Sequence, residues 1–181
     1  MTIATPELHL CIATGQNLAN LIPALQCKAR EVWILQTPEM RARAGFLADA
    51  LKARDIAVQR IDFADDDVTT LHAQAAGIAE RLDGRAVTIN LTGGTKLMTL
   101  ALTDTLAEHL ATGDAAAQPH MVYTDTKHHR LDWLGPRRAA KPWPTCCAST
   151  TSCWPRATGG RPPAAAPRPP SGSAAPSSAS P

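Results

Sequence analysis

The sequence predicts an α/β fold, with a doubly wound, mostly parallel sheet that carries helices on both faces. Short apolar runs rich in β-branched residues alternate along the chain with longer segments whose apolar residues recur at helical spacing. Successive strand–helix–strand units form right-handed crossovers, which make the strands parallel and place helices over the sheet. Ligands of such sheets bind beyond the carboxyl ends of the strands, where the strand order reverses.

The first half of the chain contains three predicted strands and two predicted helices. The first strand covers residues 8–13, and Asn17 is expected to cap the helix that follows it. The second strand covers residues 32–35 and leads into a helix that Pro38 opens. A third strand alternates over residues 56–63. The apolar faces of the two helices are predicted to be Leu18, Leu21, Ile22 and Leu25, and then Phe46, Leu47, Ala50 and Leu51.

The second half repeats the pattern. Three aspartates at 65–67 precede the third helix, where carboxylates are expected to cap the helix rather than hold a metal. A buried strand at 86–91 runs through a glycine turn into the fourth helix, and strands follow at 120–124 and, at the sheet edge, 131–134. The predicted apolar faces are Val68, Leu71, Ala75, Ile78, Ala79 and Leu82, and then Leu97, Met98, Leu100, Ala101, Leu102, Leu106 and Leu110.

Charge and composition divide the chain into two regions. All 16 acidic residues lie at or before Asp132, where the net charge is −4, and six basic residues with no acid follow. From about Gly135 the chain holds 11 of the 15 prolines with much Ala, Ser and Arg. The composition predicts a folded domain over 1–134 and a disordered tail over 135–181. A natural linker, a truncation or a shifted reading frame of a GC-rich gene would explain the tail, and the abrupt change favours the last.

Several function classes are disfavoured by the same features. The acidic body disfavours binding of long nucleic acid through a broad basic face. No signal peptide and no run of transmembrane length is visible, and Cys11 and Cys27 stand in apolar company, so we expect buried thiols and a cytoplasmic protein. Cys146, Cys147 and Cys153 lack the spacing of a zinc site, and neither a metal nor a cofactor is predicted.

The loop Thr92-Gly93-Gly94-Thr95-Lys96 after the central strand has the character of a phosphate-binding loop. Adjacent glycines let the backbone approach a ligand, and the first amides of the next helix attract anions together with the helix dipole. The glycine spacing fits neither a Walker A loop nor a dinucleotide fingerprint. A turn that joins a strand to a helix without a ligand is the alternative, as is a plain solvated role for Lys96.

The predicted topology brings three loops to one edge of the sheet. They follow the first, second and central strands, and the fifth strand ends at the same edge. Their small hydroxyl, amide and glycine residues suit the recognition of an anionic, hydrogen-bonding ligand. The candidate ligand-binding residues are Thr14, Gly15, Gln16, Asn17, Thr37, Thr92, Gly93, Gly94, Thr95, Lys96 and Thr124.

The segment NLTGGTKLM after a buried strand, with the loop TGQN after the first strand, resembles a CRISPR-associated Rossmann-fold (CARF) domain. In particular it is similar to CARF domains that precede a restriction-endonuclease-like nuclease domain in type III CRISPR ancillary nucleases. The resemblance covers residues 8–134, and TGGTK before an apolar helix is its most specific part. It implies a Rossmann-like homodimer that binds a cyclic oligoadenylate across its two-fold axis and regulates a nuclease effector, which we expect to be absent from this chain.

The residues suit the ligand that this resemblance implies. The amides of Gly93–Lys96 fit phosphate or ribose oxygens, and Gln16 and Asn17 offer donors and acceptors to adenine edges and 2′-hydroxyls. We therefore expect a sensor that binds cyclic oligoadenylate, tetra-adenylate in preference, and is not itself an enzyme. Two alternatives stay open: a metal-independent ring nuclease in which a 2′-hydroxyl of the ring attacks the adjacent phosphate, and an unrelated nucleotide-binding Rossmann-like protein.

Overall fold

A computed structural model describes residues 7–64, 67–111, 119–134 and 141–142 of the chain. Within these ranges the strands are β1 (Leu8–Ile12), β2 (Glu31–Gln36), β3 (Ala57–Asp62), β4 (Val87–Asn90), β5 (His120–Asp125), β6 (Arg130–Leu134) and β7 (Lys141–Pro142). They form one sheet in the order β3-β2-β1-β4-β5-β6-β7. Strands β1 to β5 pair in parallel, whereas β6 and β7 are antiparallel additions. The predicted mostly parallel sheet is confirmed.

Helices cover both faces of this sheet, as the sequence predicts. They are α1 (Leu18–Gln26), α2 (Arg41–Lys52), α3 (Val68–Leu82) and α4 (Lys96–Ala111), and a single 3-10 turn at Pro38–Met40 precedes α2. Successive side chains of a strand point to opposite faces, so β1 contributes to two cores. Its residues Leu8, Leu10 and Ile12 pack with α3 and α4, whereas Cys11 packs with α1 and α2.

The strand order reverses between β1 and β4. The chain passes from β1 outward to β2 and β3, and then crosses back to β4 on the other side of β1 before continuing to β5. A reversal of this kind opens a crevice above the carboxyl ends of the two central strands, because their connections leave in opposite directions. The loops that follow β1 and β4 therefore lie on either side of that crevice.

Four residues assigned to buried helix faces are exposed instead, so those predictions are wrong. Phe46 is 56% exposed, Val68 46%, Leu97 52% and Leu100 64%. The buried stripe of α2 contains Ala44, Leu47, Ala48 and Leu51, and position 46 falls on the opposite side of the helix. On α4 the buried stripe is Met98, Ala101, Leu102 and Leu106, which leaves the two leucines on a second, outward apolar face.

Two further predictions about element ends are corrected. Asn17 does not cap α1 with its side chain: its backbone is already helical, at φ −57° and ψ −26°, and its Oδ1 accepts no hydrogen bond from the described residues, while its Nδ2 donates to the Arg43 carbonyl oxygen at 3.0 Å. Strand β6 is not the edge of the sheet, because it pairs with β7 at Lys141–Pro142. This pairing lies within the segment that composition assigns to the tail. The remainder of that segment, including its three cysteines, lies outside the described residues.

Asp67 caps α3, as predicted, while Asp65 and Asp66 lie outside the described residues. Its Oδ1 accepts from the Thr70 amide at 3.0 Å, and hydrogen bonds from the Thr70 hydroxyl and amide lower the pKa of this carboxyl. Replacing Asp67 with alanine removes the acceptor of the capping hydrogen bonds and should lower the free energy of unfolding. Urea denaturation at pH 7 measures this, and Asp67→Asn, which keeps a capping oxygen, should recover most of it; equal losses in both variants would contradict the capping role.

A histidine lies inside the sheet on β1. His9 is fully buried, neither ring nitrogen has a hydrogen-bond partner among the described residues, and burial lowers its pKa from 6.5 to about 4. Between these two values the unfolded chain binds a proton that the folded chain does not. The free energy of unfolding should therefore fall as the pH falls through this window, by up to about 1.4 kcal/mol per pH unit.

The variant His9→Leu tests this dependence because it removes the titrating group and keeps an apolar side chain of similar size. Its free energy of unfolding should change much less than that of the wild type between pH 6.5 and 4.5, whatever its absolute stability. Urea titrations at half-unit pH steps measure both slopes. Parallel profiles for the two proteins would show that His9 is not held neutral by burial.

Candidate functional site

The glycine loop between β4 and α4 presses against the end of β1. A Cβ on the buried Gly93 would overlap the carbonyl oxygen of Ile12 and the methyl group of Thr14. Gly94 has φ +83°, and a Cβ there would lie 2.8 Å from Cδ1 of Ile12. Both positions require glycine, the first for the close approach and the second for the left-handed conformation. The contact joins the loops after β1 and β4 at the point where the strand order reverses.

Helix α4 begins directly after this contact, at Lys96. Thr95 is the residue before the helix, and its Oγ1 accepts from the amide of Met98 at 3.2 Å. The amides of Lys96 and Leu97, the first two of the helix, have no acceptor within it because no preceding turn exists. Lys96 is exposed at the first helical position. The positive end of the helix dipole and a lysine therefore lie together at the crevice, an arrangement that attracts anions.

A buried asparagine ties the glycine loop to its surroundings. Asn90, at the end of β4 and fully buried, donates from Nδ2 to the Ala19 carbonyl and to Oδ1 of Asn20, both at 2.8 Å. Its Oδ1 accepts from the amide of Thr92 at 3.1 Å and from the Thr92 hydroxyl at 2.6 Å. Asn20 in turn donates to the carbonyl of Ile12 at 2.8 Å. Every donor and acceptor of this carboxamide is used to hold α1, β1 and the loop in one arrangement.

Thr92 and Thr124 belong to the same network. The Thr124 amide donates to Oγ1 of Thr92 at 2.7 Å, and the Thr124 hydroxyl donates to the carbonyl of Ala19 at 2.8 Å. Thr124 is only 1% exposed. The structure thus buries Thr124 beneath the loop, whereas the half-buried Thr92, the first residue of the loop, uses its hydroxyl to hold the loop in place. The sequence prediction includes neither Asn20 nor Asn90; the available signal for Asn90 is its place at the end of an otherwise apolar strand, where this residue type is uncommon, whereas Asn20 lies within α1.

The three predicted loops meet around a cavity of about 460 Å³. Its floor is apolar, with Ile12 and Met98 almost completely buried, and its walls are mostly hydroxyl-bearing or small residues. Four of the lining residues are candidates from the sequence. The two methionines and Glu39 are not among those candidates. The residues that line the cavity are Ile12, Ala13, Thr14, Thr37, Glu39, Met40, Gly94, Thr95 and Met98.

The remaining candidates occupy the loop after β1. Gln16 and Gly15 are exposed, and the Gln16 amide donates to Oγ1 of Thr14 at 2.9 Å, which fixes a tight turn. Asn17 is 8% exposed, and its Oδ1 has no hydrogen-bond partner among the described residues. The loop therefore presents the carboxamide of Gln16 to solvent, while Asn17 anchors the loop to the backbone of Arg43 in α2.

Glu39 is the charged residue among those that line the cavity. Hydrogen bonds from its own backbone amide and from the Thr37 hydroxyl lower the pKa of this carboxyl below its usual value. Both donors favour the ionised form, so the carboxylate is charged at neutral pH. The cavity thus combines an apolar floor with one anionic acceptor, whereas the neighbouring end of α4 is positive.

The described residues offer no alternative centre for metal chemistry. In ranges 7–64, 67–111, 119–134 and 141–142 no three His, Cys, Asp or Glu residues come close enough to hold an ion. Cys11 and Cys27 are buried cysteines outside any disulfide, as predicted, and burial raises the pKa of Cys11 to about 12. None of the helices within the same ranges combines the length and apolarity needed to cross a bilayer.

Similar solved structures share this fold. Can2 from Sulfobacillus thermosulfidooxidans, solved in complex with cyclic tetra-adenylate, matches with a TM-score of 0.63 and 20% identity over 76% of this chain and 37% of its own. Protein VC1899 from Vibrio cholerae matches with a TM-score of 0.66 and 15% identity over 75% of this chain and 35% of its own. This chain therefore spans little more than a third of the length of either.

A type III CRISPR defence DNA nuclease activated by cyclic oligoadenylate also matches, with a TM-score of 0.57 and 25% identity over 75% of this chain and 20% of that protein. No curated protein sequence matches the chain significantly. The family model described as the Card1 CARF domain matches residues 8–115, which contain the glycine loop, the loop after β1 and all four helices up to α4. The chain therefore belongs to the Card1 CARF domain family.

Proposed function

We propose that this domain is a sensor that binds a cyclic oligoadenylate, tetra-adenylate in preference, and regulates a nuclease effector in type III CRISPR antiviral defence. The observation that carries the proposal is the glycine loop pressed against β1, which brings the open end of α4 and Lys96 beside the Gln16 loop. Membership of the CARF family and the cyclic tetra-adenylate complex of Can2 support the choice of ligand.

The chemistry of the ligand matches the two sides of the crevice. A cyclic oligoadenylate is a ring of phosphates that carries 2′-hydroxyls and adenine bases. Its phosphates suit the first amides of α4 and the ammonium group of Lys96. The exposed carboxamide of Gln16 offers both a donor and an acceptor, which suit an adenine edge or a 2′-hydroxyl. Binding of this kind needs no metal ion.

We propose further that the sensor is a homodimer in the cytoplasm. A ligand with two-fold symmetry is met by the same loops of two copies. The exposed Leu97 and Leu100 continue from the glycine loop along α4, beside a groove of about 600 Å³ that Val68 also lines. A contiguous apolar surface of this kind is typical of an interface. The absence of a disulfide at the buried Cys11 and Cys27 suits a reducing compartment.

A ligand panel tests the proposed function. The protein is titrated with cyclic tetra- and hexa-adenylate, NAD and ATP, and each mixture is then analysed by chromatography for linear products. Binding of a cyclic oligoadenylate without cleavage is the expected result. Metal-independent cleavage of the ring would indicate a ring nuclease and not a sensor. Binding of NAD or ATP alone would indicate an unrelated nucleotide-binding protein.

Two substitutions locate the ligand. Lys96→Ala and Gln16→Ala should each weaken binding of cyclic tetra-adenylate by about 1–3 kcal/mol, because each removes a hydrogen bond that includes a charged or desolvated partner. Calorimetric titration measures the affinities, and Lys52→Ala, at the far end of α2, is the matched charge control. Unchanged affinity in both site variants would show that the ring binds elsewhere.

A further inference from the structure

We propose that the cavity beside the glycine loop is a base pocket, in which the Glu39 carboxylate accepts a hydrogen bond from the exocyclic amine of an adenine. This inference deepens the proposed function and rests on it: it assigns the part of the ligand that enters the cavity and the residue that distinguishes an amine-bearing purine from one without the amine.

The shape and lining of the cavity suit a flat, mostly apolar ring. Its volume of about 460 Å³ falls within the range of small-molecule sites. The floor is formed by Ile12 and Met98, each 1% exposed, and the half-buried Met40 lines the same cavity. Thioethers adapt their shape to a ring and make favourable sulfur–aromatic contacts. The floor itself offers a phosphate no hydrogen-bond donor in exchange for lost hydration, so a base gains more from contact with it than a phosphate does.

The charge of Glu39 also determines which part of a nucleotide enters. A carboxylate at the cavity repels a phosphate and accepts hydrogen bonds only, so it favours a neutral group that carries N–H or O–H donors. The amine at position 6 is the hydrogen-bond donor of an adenine base. The positive end of α4 lies on the adjacent side of the same loop, and it attracts the phosphates. A polyanionic ring of adenosines is thereby oriented, with phosphates toward Lys96 and a base toward Glu39.

The carboxylate is held ready for this role before a ligand arrives. Its own backbone amide and the Thr37 hydroxyl donate to it, and both favour the ionised form. Thr37 is 7% exposed and also lines the cavity. The turn that carries both residues is closed by the Met40 amide, which donates to the Thr37 carbonyl at 3.0 Å, and Pro38 restricts its backbone. These hydrogen bonds restrict the exposed Glu39 side chain, which reduces the side-chain freedom to be lost when a base binds.

A single substitution would give an ambiguous result. Glu39→Ala removes the hydrogen bond and also removes a negative charge that repels the polyanionic ligand, so the two effects oppose one another. A double-mutant cycle separates them, because the analogue of the ligand keeps all its charges. The probe is the cyclic tetranucleotide in which unsubstituted purine, without the amine, replaces adenine. The protein variants are Glu39→Ala and Glu80→Ala, the second an exposed carboxylate on α3 outside the cavity.

In the wild type and in Glu80→Ala, loss of the amine should weaken binding about tenfold or more, as expected for a hydrogen bond to a charged group. In Glu39→Ala the same change of ligand should alter the affinity less than about twofold. Equal losses in all three proteins, or no loss in the wild type, would overturn the base pocket while leaving the sensor in place. Failure of the wild type to bind cyclic tetra-adenylate would instead overturn the proposed function. Circular dichroism checks that the variants are folded.

Discussion

Replacing Gly93 with alanine should destabilise the domain by about 3 kcal/mol or more. The added methyl group would overlap the Ile12 carbonyl oxygen, which is backbone and also accepts a hydrogen bond from Asn20, so it has little room to move. Overpacking against fixed atoms costs at least as much as overpacking of a flexible core. Relief requires the glycine loop to move away from β1, which would separate the two sides of the crevice. Affinity for cyclic tetra-adenylate should fall with stability.

Thermal and urea denaturation measure the effect on stability, and Gly77→Ala is the matched control. Gly77 lies within α3, and a Cβ there would meet no atom within 4 Å. That substitution should leave stability unchanged or raise it by up to about 1 kcal/mol, because alanine is the better helix former. Equal stability of the Gly93→Ala protein and the wild type would show that the loop does not press against β1.

Asn90→Asp should have an effect of similar size, for an electrostatic reason. The shape is kept, but the Nδ2 donor is replaced by an oxygen that faces two acceptors, the Ala19 carbonyl and Oδ1 of Asn20. A charge would also be buried without a compensating cation. We expect a loss of about 3–5 kcal/mol in the free energy of unfolding at pH 7. Binding should weaken as well, because the amide and hydroxyl of Thr92 are positioned by this residue.

The pH dependence separates this mechanism from a simple packing defect. Burial raises the pKa of an aspartate above its unfolded value, so the folded variant binds more protons and its deficit should narrow as the pH falls from 7 toward 5. Thr124→Val is a milder control. It removes the hydrogen bond from the Thr124 hydroxyl to the Ala19 carbonyl, which still accepts from Asn90, and should lower the free energy of unfolding by about 1 kcal/mol. If the Asn90→Asp protein is as stable as the wild type at pH 7, the proposed hydrogen-bond network is contradicted.

The architecture was predictable because its signals are local. Short apolar runs, the alternating pattern of residues 56–63 and the helical spacing between them indicate five parallel strands and four helices, and the order of these elements dictates crossovers. The predictions that are wrong are those that equate the hydrophobicity of a residue with its burial. Phe46 is the bulkiest apolar residue of α2, yet the small Ala44 and Ala48 complete the buried stripe. Leu97 and Leu100 belong to a helix that is apolar on two faces, so periodicity alone does not indicate which face packs on the sheet.

The candidate site was predictable only in part. Glycines at 93–94 indicate a close backbone approach, and topology places the loops after three strands at one edge, where Thr14, Thr37 and Thr95 indeed line one cavity. The support of that site depends on contacts between distant parts of the chain. Asn90 and Asn20 are 70 residues apart, and no spacing rule relates them. Glu39 was missed because the sequence indicates a helix from Pro38, whereas the chain makes a separate 3-10 turn before α2.

The most direct test of the central claim is the stoichiometry of cyclic tetra-adenylate binding. The claim is that the glycine loop directs the open end of α4 and Lys96 at an anionic ring that two copies of the chain share. Sedimentation velocity of the complex, combined with calorimetric titration, gives the mass and the number of rings bound. We expect one ring for two chains in a single dimeric species. One ring bound by a single chain, or no uptake of the ring at all, would contradict it.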